Sequence, residues 1–243
     1  MKAEYVQHVG SDLTVVNAAR VSFDKESDWE DYCWSCDHAS KGWHNDSCPE
    51  CGEDNTGRVL DNGQRLAEGD VKLIRYLATH GHWTPFSHCF VTLRETVPIF
   101  VARQRFKHMV GFSYNEVSRR YVDDEPDFFV PDAWRKRADN KKQGSSDETT
   151  GDWGFGMYNA AVGKCLDVYK DMLAYGVCPE QARMVLPQSM YTSYYVSGSL
   201  AAWARMYKQR IDAHAQKEIQ DLAKMVGDII APLFPVSWGA LTA

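Results

Sequence analysis

The chain changes its hydrophobic period within residues 89–110, which read CFVTLRETVPIFVARQRFKHMV. Before Pro98, apolar and polar residues alternate, so Val91, Leu93 and Val97 share one face, as on a half-buried strand. Pro98 suits the first position of a helix, because the N–H that it lacks would have no partner there. Beyond it, the residues that form one apolar stripe at helical spacing are Ile99, Ala102, Phe106, Met109 and Val110.

Helices and strands are also expected before and after residues 89–110. Together they predict a mixed α+β fold, a β-sheet flanked by helices. A helix is expected over 199–231, with a break within it, and its polar side would carry Arg210 and His214, which are four residues apart. The other expected elements are a helix capped at Asp70 and stopped at Gly81, a helix over Met157–Tyr175, a short helix from Pro179 and a strand over Met190–Val196.

Length and composition limit the classes of protein to which the chain can belong. Its 243 residues are 44% hydrophobic and 25% charged, which suffices to bury one sizeable core. The net charge of −6 provides no general positive field for nucleic acid. No apolar run approaches the roughly 18 to 20 residues of a membrane span, and Met1–Gly10 does not resemble a signal peptide. We therefore expect a cytoplasmic protein with neither a membrane nor a nucleic acid as partner.

Two segments interrupt the single domain predicted over 1–243. Residues 27–63 contain almost no aliphatic side chains and are predicted to be an insertion. Residues 136–152 are charged, rich in Ser and Gly and without apolar periodicity, which is typical of a long mobile loop.

The insertion carries four of the seven cysteines, in the pattern Cys33-x2-Cys36-x11-Cys48-x2-Cys51. Two short C-x-x-C turns of this kind are typical of a closed, structural Zn²⁺ site. A segment with so few aliphatic residues needs the free energy of metal binding to fold. His38 and His44 lie between the pairs and are alternative ligands.

Four further stretches carry clustered polar residues: HGHWTPFSH (80–88), VARQRFKHMVGFSYNEVSRRY (101–121), RMVLP (183–187) and RIDAHAQKEI (210–219). Each taken alone is compatible with structural histidines or a solvated surface. Together they supply the cations and amides that hold a phosphate and a base edge. The cations are Arg103, Lys107, Arg119, Arg120, Arg183 and Arg210.

At these residues the chain resembles the flavin-dependent thymidylate synthases. The AARVSF of residues 18–23 also fits that family. The family motifs that the chain matches are HGHxTPFEH at 80–88, FVARQxFRHR at 100–109, SYNExSxRY at 113–121, ARxVLP at 182–187 and LRxDxHAQxEI at 209–219.

The resemblance implies a homotetramer that binds FAD between subunits and methylates deoxyuridylate (dUMP) at C5 to thymidylate (dTMP). NADPH would be the reductant and methylenetetrahydrofolate the one-carbon donor. By position, the dUMP-binding residues would be Gln104, Lys107, Glu116, Ser118, Arg119, Arg120, Arg183 and Arg210. The FAD-binding residues would be His82, Thr84, Lys107, His108, Met109, Glu116, Ser199 and Arg205.

Arg210 is the predicted catalytic residue. Uracil C5 is a poor nucleophile until negative charge develops on N3 and O4, and a fixed guanidinium stabilises that charge as it forms. Enzymes that add a thiol to C6 need a reactive cysteine near the base, for which Cys178 is the one candidate.

The chain departs from the family motifs at a few positions. Lys107, His108 and Met109 replace Arg-His-Arg, Ser87 replaces the usual Glu, and Ser199 replaces Asn. Lys is not equivalent to Arg where two parallel hydrogen bonds are made. Two alternatives therefore stay open: a related C5 hydroxymethylase or deoxycytidylate-modifying enzyme, and a non-catalytic, zinc-dependent binding protein.

Overall fold

The computed structural model describes residues 1–33, 35–36, 38–40, 48–52, 64–121, 124–139 and 144–243. His44 and parts of the 27–63 and 136–152 segments lie outside the described residues. The strands are β1 (Lys2–Val9), β2 (Glu30–Tyr32), β3 (Ala39–Ser40), β4 (Gln64–Arg65), β5 (Phe90–Pro98), β6 (Phe112–Glu116), β7 (Arg135–Arg137), β8 (Ser145–Thr149) and β9 (Tyr191–Ser199). The α-helices are α1 (Asp12–Arg20), α2 (Glu68–Thr79), α3 (Ile99–Arg105), α4 (Trp153–Ala174), α5 (Pro179–Ala182), α6 (Leu200–Arg210), α7 (Lys217–Ile230) and α8 (Pro235–Thr242).

The central sheet has the strand order β1-β5-β9-β6. Strand β6 pairs antiparallel with β9, from Phe112 opposite Gly198 to Glu116 opposite Tyr194. Strands β5 and β9 are joined by side-chain hydrogen bonds as well, between Thr92 and Ser197 at 2.8 Å. The predicted mixed α/β class, an antiparallel sheet with helices, is confirmed.

Strand β5 and helix α3 follow the change of period at Pro98, but the helix is shorter than the sequence predicts. Val91, Leu93 and Val97 are buried on one face of β5. Helix α3 ends at Arg105, and Gly111, with φ of +80°, turns the chain into β6. The prediction that Met109 and Val110 belong to the core stripe is therefore wrong: their exposed fractions are 74% and 75%.

The chain forms two compact units. The first contains the central sheet except for its strand ends, and consists of residues 1–7, 91–198 and 205–229. The second contains α1, α2 and α8, and consists of residues 8–90, 199–204 and 230–243. The single domain expected from the sequence stays a prediction.

Buried aspartates organise the second unit. Asp12 accepts hydrogen bonds from the backbone N–H groups of Val236 and Ser237, at 2.8 and 2.9 Å, in the first turn of α8. Asp70 lies inside α2 and does not cap it. Its carboxylate instead accepts from Arg20 Nε and from the Ser27 hydroxyl, each at 3.0 Å.

The 136–152 segment differs from expectation, whereas the 199–231 segment has the expected break. Residues 145–149 form β8, which pairs with β7, where a loop was predicted. The long predicted helix is divided into α6 and α7, so Arg210 and His214 do not share one helix. Among the described residues, no helix is both long and apolar enough to cross a lipid bilayer.

Candidate active site

Arg210, the last residue of α6, contacts the end of α3 and the residues that follow it. Its Nε donates a hydrogen bond to His108 Nε2 at 2.8 Å, and its Nη2 donates to the Gln104 carbonyl oxygen at 3.2 Å. The end of the helix thus carries a guanidinium whose position is defined by two acceptors from one neighbouring segment.

A cavity of about 910 Å³, here named the Arg210 cavity, opens beside this guanidinium. Its lining extends from the end of α6 through the 211–216 break to Lys217, the first residue of α7. Its charged and polar lining includes one carboxylate beside four Arg or Lys side chains: Gln104, Arg135, Lys208, Arg210, Asp212, His214, Gln216 and Lys217. A cavity lined by this many cationic groups suits an anionic ligand.

His108 is buried and accepts rather than donates at Nε2. Burial and the charges of Arg210, Arg105 and Arg205 lower the pKa of His108 to about 4. The imidazole is therefore neutral at pH 7, with its proton on Nδ1, and it can accept the Arg210 hydrogen bond. Burial and the charge of Arg105 also lower the pKa of Arg210, but a guanidinium stays protonated at neutral pH.

A second cavity, of about 620 Å³ and here named the Glu116 cavity, lies in the same unit. Glu116 accepts from the buried Thr192 hydroxyl at 2.6 Å. Arg119 donates to both the carbonyl and the carboxylate of Asp124. The predicted dUMP residues are thus divided: Gln104 and Arg210 line the first cavity, and Glu116, Arg119 and Arg183 line the second.

The remaining predicted residues of the first unit line neither cavity, and all of them except the half-buried Ser118 are exposed. Ser118 accepts from Arg120 Nε at 3.3 Å, and Arg205 donates to the Val110 carbonyl oxygen. Lys107 and Met109 are exposed.

Three predicted FAD residues belong to the second unit. His82 and Thr84 are exposed. Ser199 is buried, and its hydroxyl accepts from the Ala202 N–H at 3.3 Å, at the start of α6. The part that these residues have in cofactor binding stays a prediction.

An aromatic pocket of about 370 Å³ shares Arg135, Ser145 and Gln216 with the Arg210 cavity. Its aromatic walls are Phe100, Phe129, Trp134 and Tyr158. At the shared edge, Arg135 donates to Glu218 at 2.6 Å. Although burial opposes ionisation of Glu218, hydrogen bonds from Arg135 and Gln216 outweigh it and lower the pKa of Glu218.

The cysteines of the 27–63 insertion converge in the second unit. The Sγ atoms of Cys33, Cys36, Cys48 and Cys51 all lie within 4.8 Å of one another. The Cys33 N–H donates to the His38 carbonyl oxygen, and the Gly52 N–H donates to that of Cys48, which closes one turn at each pair. Gly52 has φ of +74°, a conformation that favours glycine.

The sequence analysis missed several residues of the Arg210 cavity. Arg135 and Gln216 belong to segments 81 residues apart, a distance along the chain over which no local pattern operates. Arg105 is fully buried against Glu95 and does not line the cavity. Among the described residues that line either cavity there is no cysteine, and Cys178 lines neither.

The fold and the Arg210 cavity, whose lining carries four Arg or Lys side chains and one Asp, define a mixed α/β protein with a site for an anion. The family profile described as "Thymidylate synthase complementing protein" matches residues 4–236. A flavin-dependent thymidylate synthase of Thermosipho africanus is 38% identical over 181 residues, covering 73% of this chain and 79% of its own. That of Thermotoga neapolitana is 30% identical over 237 residues, covering 98% and 88%.

Two solved structures of the UMP/dUMP methylase PolB from Streptomyces cacaoi have similar folds. The one bound with 5-Br dUMP has a TM-score of 0.72 at 28% identity, and covers 99% of this chain and 94% of that chain. The one bound with 5-Br UMP has a TM-score of 0.76 at 27% identity, and covers 99% and 93%. The chain belongs to the thymidylate synthase complementing protein family, that of the flavin-dependent thymidylate synthases.

Proposed function

We propose that the chain methylates dUMP at C5 to give dTMP, with FAD, NADPH and methylenetetrahydrofolate as cofactors and co-substrates. The observation that carries this proposal is the Arg210 guanidinium beside the Arg210 cavity, held by His108 and the Gln104 carbonyl. These two bonds occupy two of the five N–H groups of the guanidinium. The others are available to a pyrimidine edge.

Arg210 would act on the uracil without exchanging a proton. Charge on N3 and O4 grows as C5 becomes nucleophilic, and a pre-positioned cation stabilises that charge most in the transition state. Because neither cavity presents a thiol among its described lining residues, the geometry favours this route over addition of Cys178 to C6.

The exposed residues after α3 fit a flavin. Met109 offers an apolar contact to a flat ring system, and Lys107 and Arg205 offer cations to a pyrophosphate. The thioether and the one cation at 107–109 replace two guanidinium groups of the family motif, so Arg205 would carry more of the phosphate binding. Bound FAD would supply the reducing equivalents that convert the transferred one-carbon unit into a methyl group.

The separation of the two cavities favours a homo-oligomeric active site, as in the predicted homotetramer. Gln104 and Arg210 line one cavity, while Glu116, Arg119 and Arg183 line another that shares no residue with it. If the Glu116 cavity of one copy faced the Arg210 cavity of a second copy, one nucleotide would contact both sets of residues. Ser118 and Arg120 would join the nucleotide site from the second copy.

The aromatic pocket is the proposed place for an aryl ring of the folate. Four aromatic side chains form its walls, and its edge at Arg135 opens into the Arg210 cavity. Arg135 is committed to Ser145 and Glu218 through Nε and Nη2, which leaves Nη1 for a folate carboxylate. We expect Arg135→Leu to raise the KM for methylenetetrahydrofolate about tenfold or more, and Arg137→Leu, at an exposed position nearby, to leave it unchanged. An equal change in the KM for dUMP would contradict this placement.

Release of tritium from dUMP labelled at C5 tests the main proposal. Release that requires NADPH and methylenetetrahydrofolate is expected, and flavin-loaded protein that releases none would refute it. Mass spectrometry of the product separates methylation from hydroxymethylation, and deoxycytidylate as substrate tests the remaining catalytic alternative. Protein that shows no flavin absorbance after addition of FAD would favour a non-catalytic binding protein.

Uridylate (UMP) is a second candidate substrate, because the structural relative PolB is described as a UMP/dUMP methylase and has one structure bound with 5-Br UMP. The same assay with UMP labelled at C5 decides between them. A kcat/KM for UMP within about tenfold of that for dUMP would make the chain a methylase of both nucleotides.

The four-cysteine cluster is proposed to bind structural Zn²⁺. Zn–S bonds of about 2.3 Å in a tetrahedron place the sulfur atoms about 3.8 Å apart. Cys33 and Cys51 have Sγ atoms 3.5 Å apart, and those of Cys36 and Cys48 are 3.6 Å apart, so the donors fit. With four protein ligands, no coordination position remains for catalysis. One equivalent of zinc per chain in metal analysis is expected.

A further inference from the structure

A fully buried ion pair lies beneath the segment that carries His108. Glu95 on β5 and Arg105 at the end of α3 have no exposed side-chain surface, and Arg105 Nε lies 3.2 and 3.1 Å from the two carboxylate oxygens. The Tyr194 hydroxyl donates to the same carboxylate at 2.6 Å. Buried ion pairs rarely exceed well-packed apolar residues in stabilising a fold. The contribution of the Glu95–Arg105 pair therefore lies in the positions in which it holds the neighbouring side chains.

The ion pair extends to the backbone of His108 through Tyr114 on β6. Arg105 Nη1 donates to the Tyr114 hydroxyl at 2.5 Å, and that hydroxyl donates to the His108 carbonyl oxygen at 2.7 Å. The guanidinium also lies 4.5 Å from the centre of the Phe112 ring. The residues between α3 and β6 are therefore tied to the core through Tyr114, although they form neither helix nor strand.

His108 transmits this position to Arg210. Its backbone is held by Tyr114, and its Nε2 accepts from Arg210 Nε at 2.8 Å. We propose that Tyr114, held by the Glu95–Arg105 pair, is a positioning residue that places the Arg210 guanidinium through His108. The inference rests on the proposed function only for the reaction that Arg210 performs, since the chain of contacts is a property of the fold.

The variant Tyr114→Phe removes one hydroxyl and keeps the ring. Displacement of a reacting group by about 1 Å can lower a rate about a hundredfold. We therefore expect Tyr114→Phe to lower kcat for tritium release, measured per bound flavin, about tenfold or more. The KM for dUMP should change less. Tyr175→Phe makes the same chemical change at a side chain that is 90% exposed, and should leave kcat unchanged.

A double-mutant cycle with Arg210→Lys distinguishes positioning from general loss of structure. If Tyr114 acts through Arg210, Tyr114→Phe should lower kcat less than about twofold in the Arg210→Lys background. The same fold-change in both backgrounds would overturn the proposal. A general structural effect would reduce both rates equally.

Two further measurements decide the question if activity is lost or the tyrosine variant does not fold. Crystal structures of the parent and of Tyr114→Phe should show the Arg210 Nε to His108 Nε2 distance lengthen beyond about 3.5 Å, and an unchanged contact would refute the proposal. His108→Gln keeps an acceptor and should retain kcat per flavin better than His108→Leu. Equal losses would contradict a role for the acceptor. Parent protein without tritium release would refute the proposed function, whereas the structures would still decide the positioning role.

Discussion

Replacement of Arg210 is the most direct test of the proposed chemistry. Arg210→Ala removes the guanidinium and the two hydrogen bonds that hold it, to His108 Nε2 and to the Gln104 carbonyl. Arg210→Lys keeps a positive charge but not the flat array of N–H groups. Comparison of the two variants separates the charge from the geometry.

The magnitude follows from what the side chain does in each state. Loss of one pre-positioned donor to a developing anion typically lowers kcat about 10² to 10³-fold, and Arg210→Ala should reach at least that range. Folding should suffer less. The variant leaves the buried His108 Nε2 without its donor, which costs about 1–3 kcal/mol, and a half-buried arginine contributes little apolar burial. The melting temperature should fall by about 5 °C.

Tritium release per bound flavin is the assay, with thermal unfolding measured on the same preparations. We expect Arg210→Ala to lose turnover while the fold and the flavin spectrum persist, and Arg210→Lys to lie between it and the parent. Activity in Arg210→Ala within about threefold of the parent would remove this residue from the mechanism, because loss of a pre-positioned donor to a developing anion typically costs about a hundredfold or more.

Three other predictions concern acid stability, metal binding and assembly. His108 has a folded-state pKa of about 4 against an ordinary 6.5, so the unfolded chain binds more protons between these values. The free energy of unfolding should therefore fall by up to about 3 kcal/mol as the pH drops from 6.5 to 4. Urea titrations over this pH range should show the fall reduced by the same amount in His108→Gln. An equal fall in the free energy of unfolding of both proteins would contradict the buried neutral state. Cys48→Ser, or chelation, should release zinc and increase hydrogen exchange first within residues 30–52. Cys165→Ser, which lies outside the four-cysteine cluster, is the control. A metal-free protein with unchanged hydrogen exchange in residues 30–52 would refute the zinc site. The last prediction concerns an active site that combines the two cavities from different copies. If inactive Glu116→Gln and Arg210→Ala chains are mixed by unfolding and refolding, up to about a quarter of the parent activity should return. No recovery in verified mixed oligomers would refute the shared site.

The local patterns predicted β5 and the start of α3 well, because each depends on neighbours a few residues away. Alternation buries Val91, Leu93 and Val97, and Pro98 precedes the helix at the expected place. The same reasoning failed past Arg105. A helical stripe was projected through Met109, but Gly111 and the pairing of β6 with β9 end the helix earlier.

The composition of the candidate site was predictable in part. The motifs singled out Arg210, Glu116 and Arg183 as residue types able to bind a nucleotide, and the structure places each on a cavity. The division of these residues between two cavities was not predictable, because a motif gives the identity of a side chain and not the surface onto which the fold brings it.

The sequence by itself determined the class of fold, the family and the pairing of the four clustered cysteines in two C-x-x-C units, since these follow from periodicity, ordered motifs and short spacings. Only the tertiary structure decided which side chains surround Arg210. His108 lies 102 residues from it along the chain, and Arg135 and Glu218 lie 83 apart. Contacts over such separations form when strands pair and helices pack. The residues between two such partners do not specify the individual contact, because the free energy of apolar burial that drives folding is distributed over the whole core.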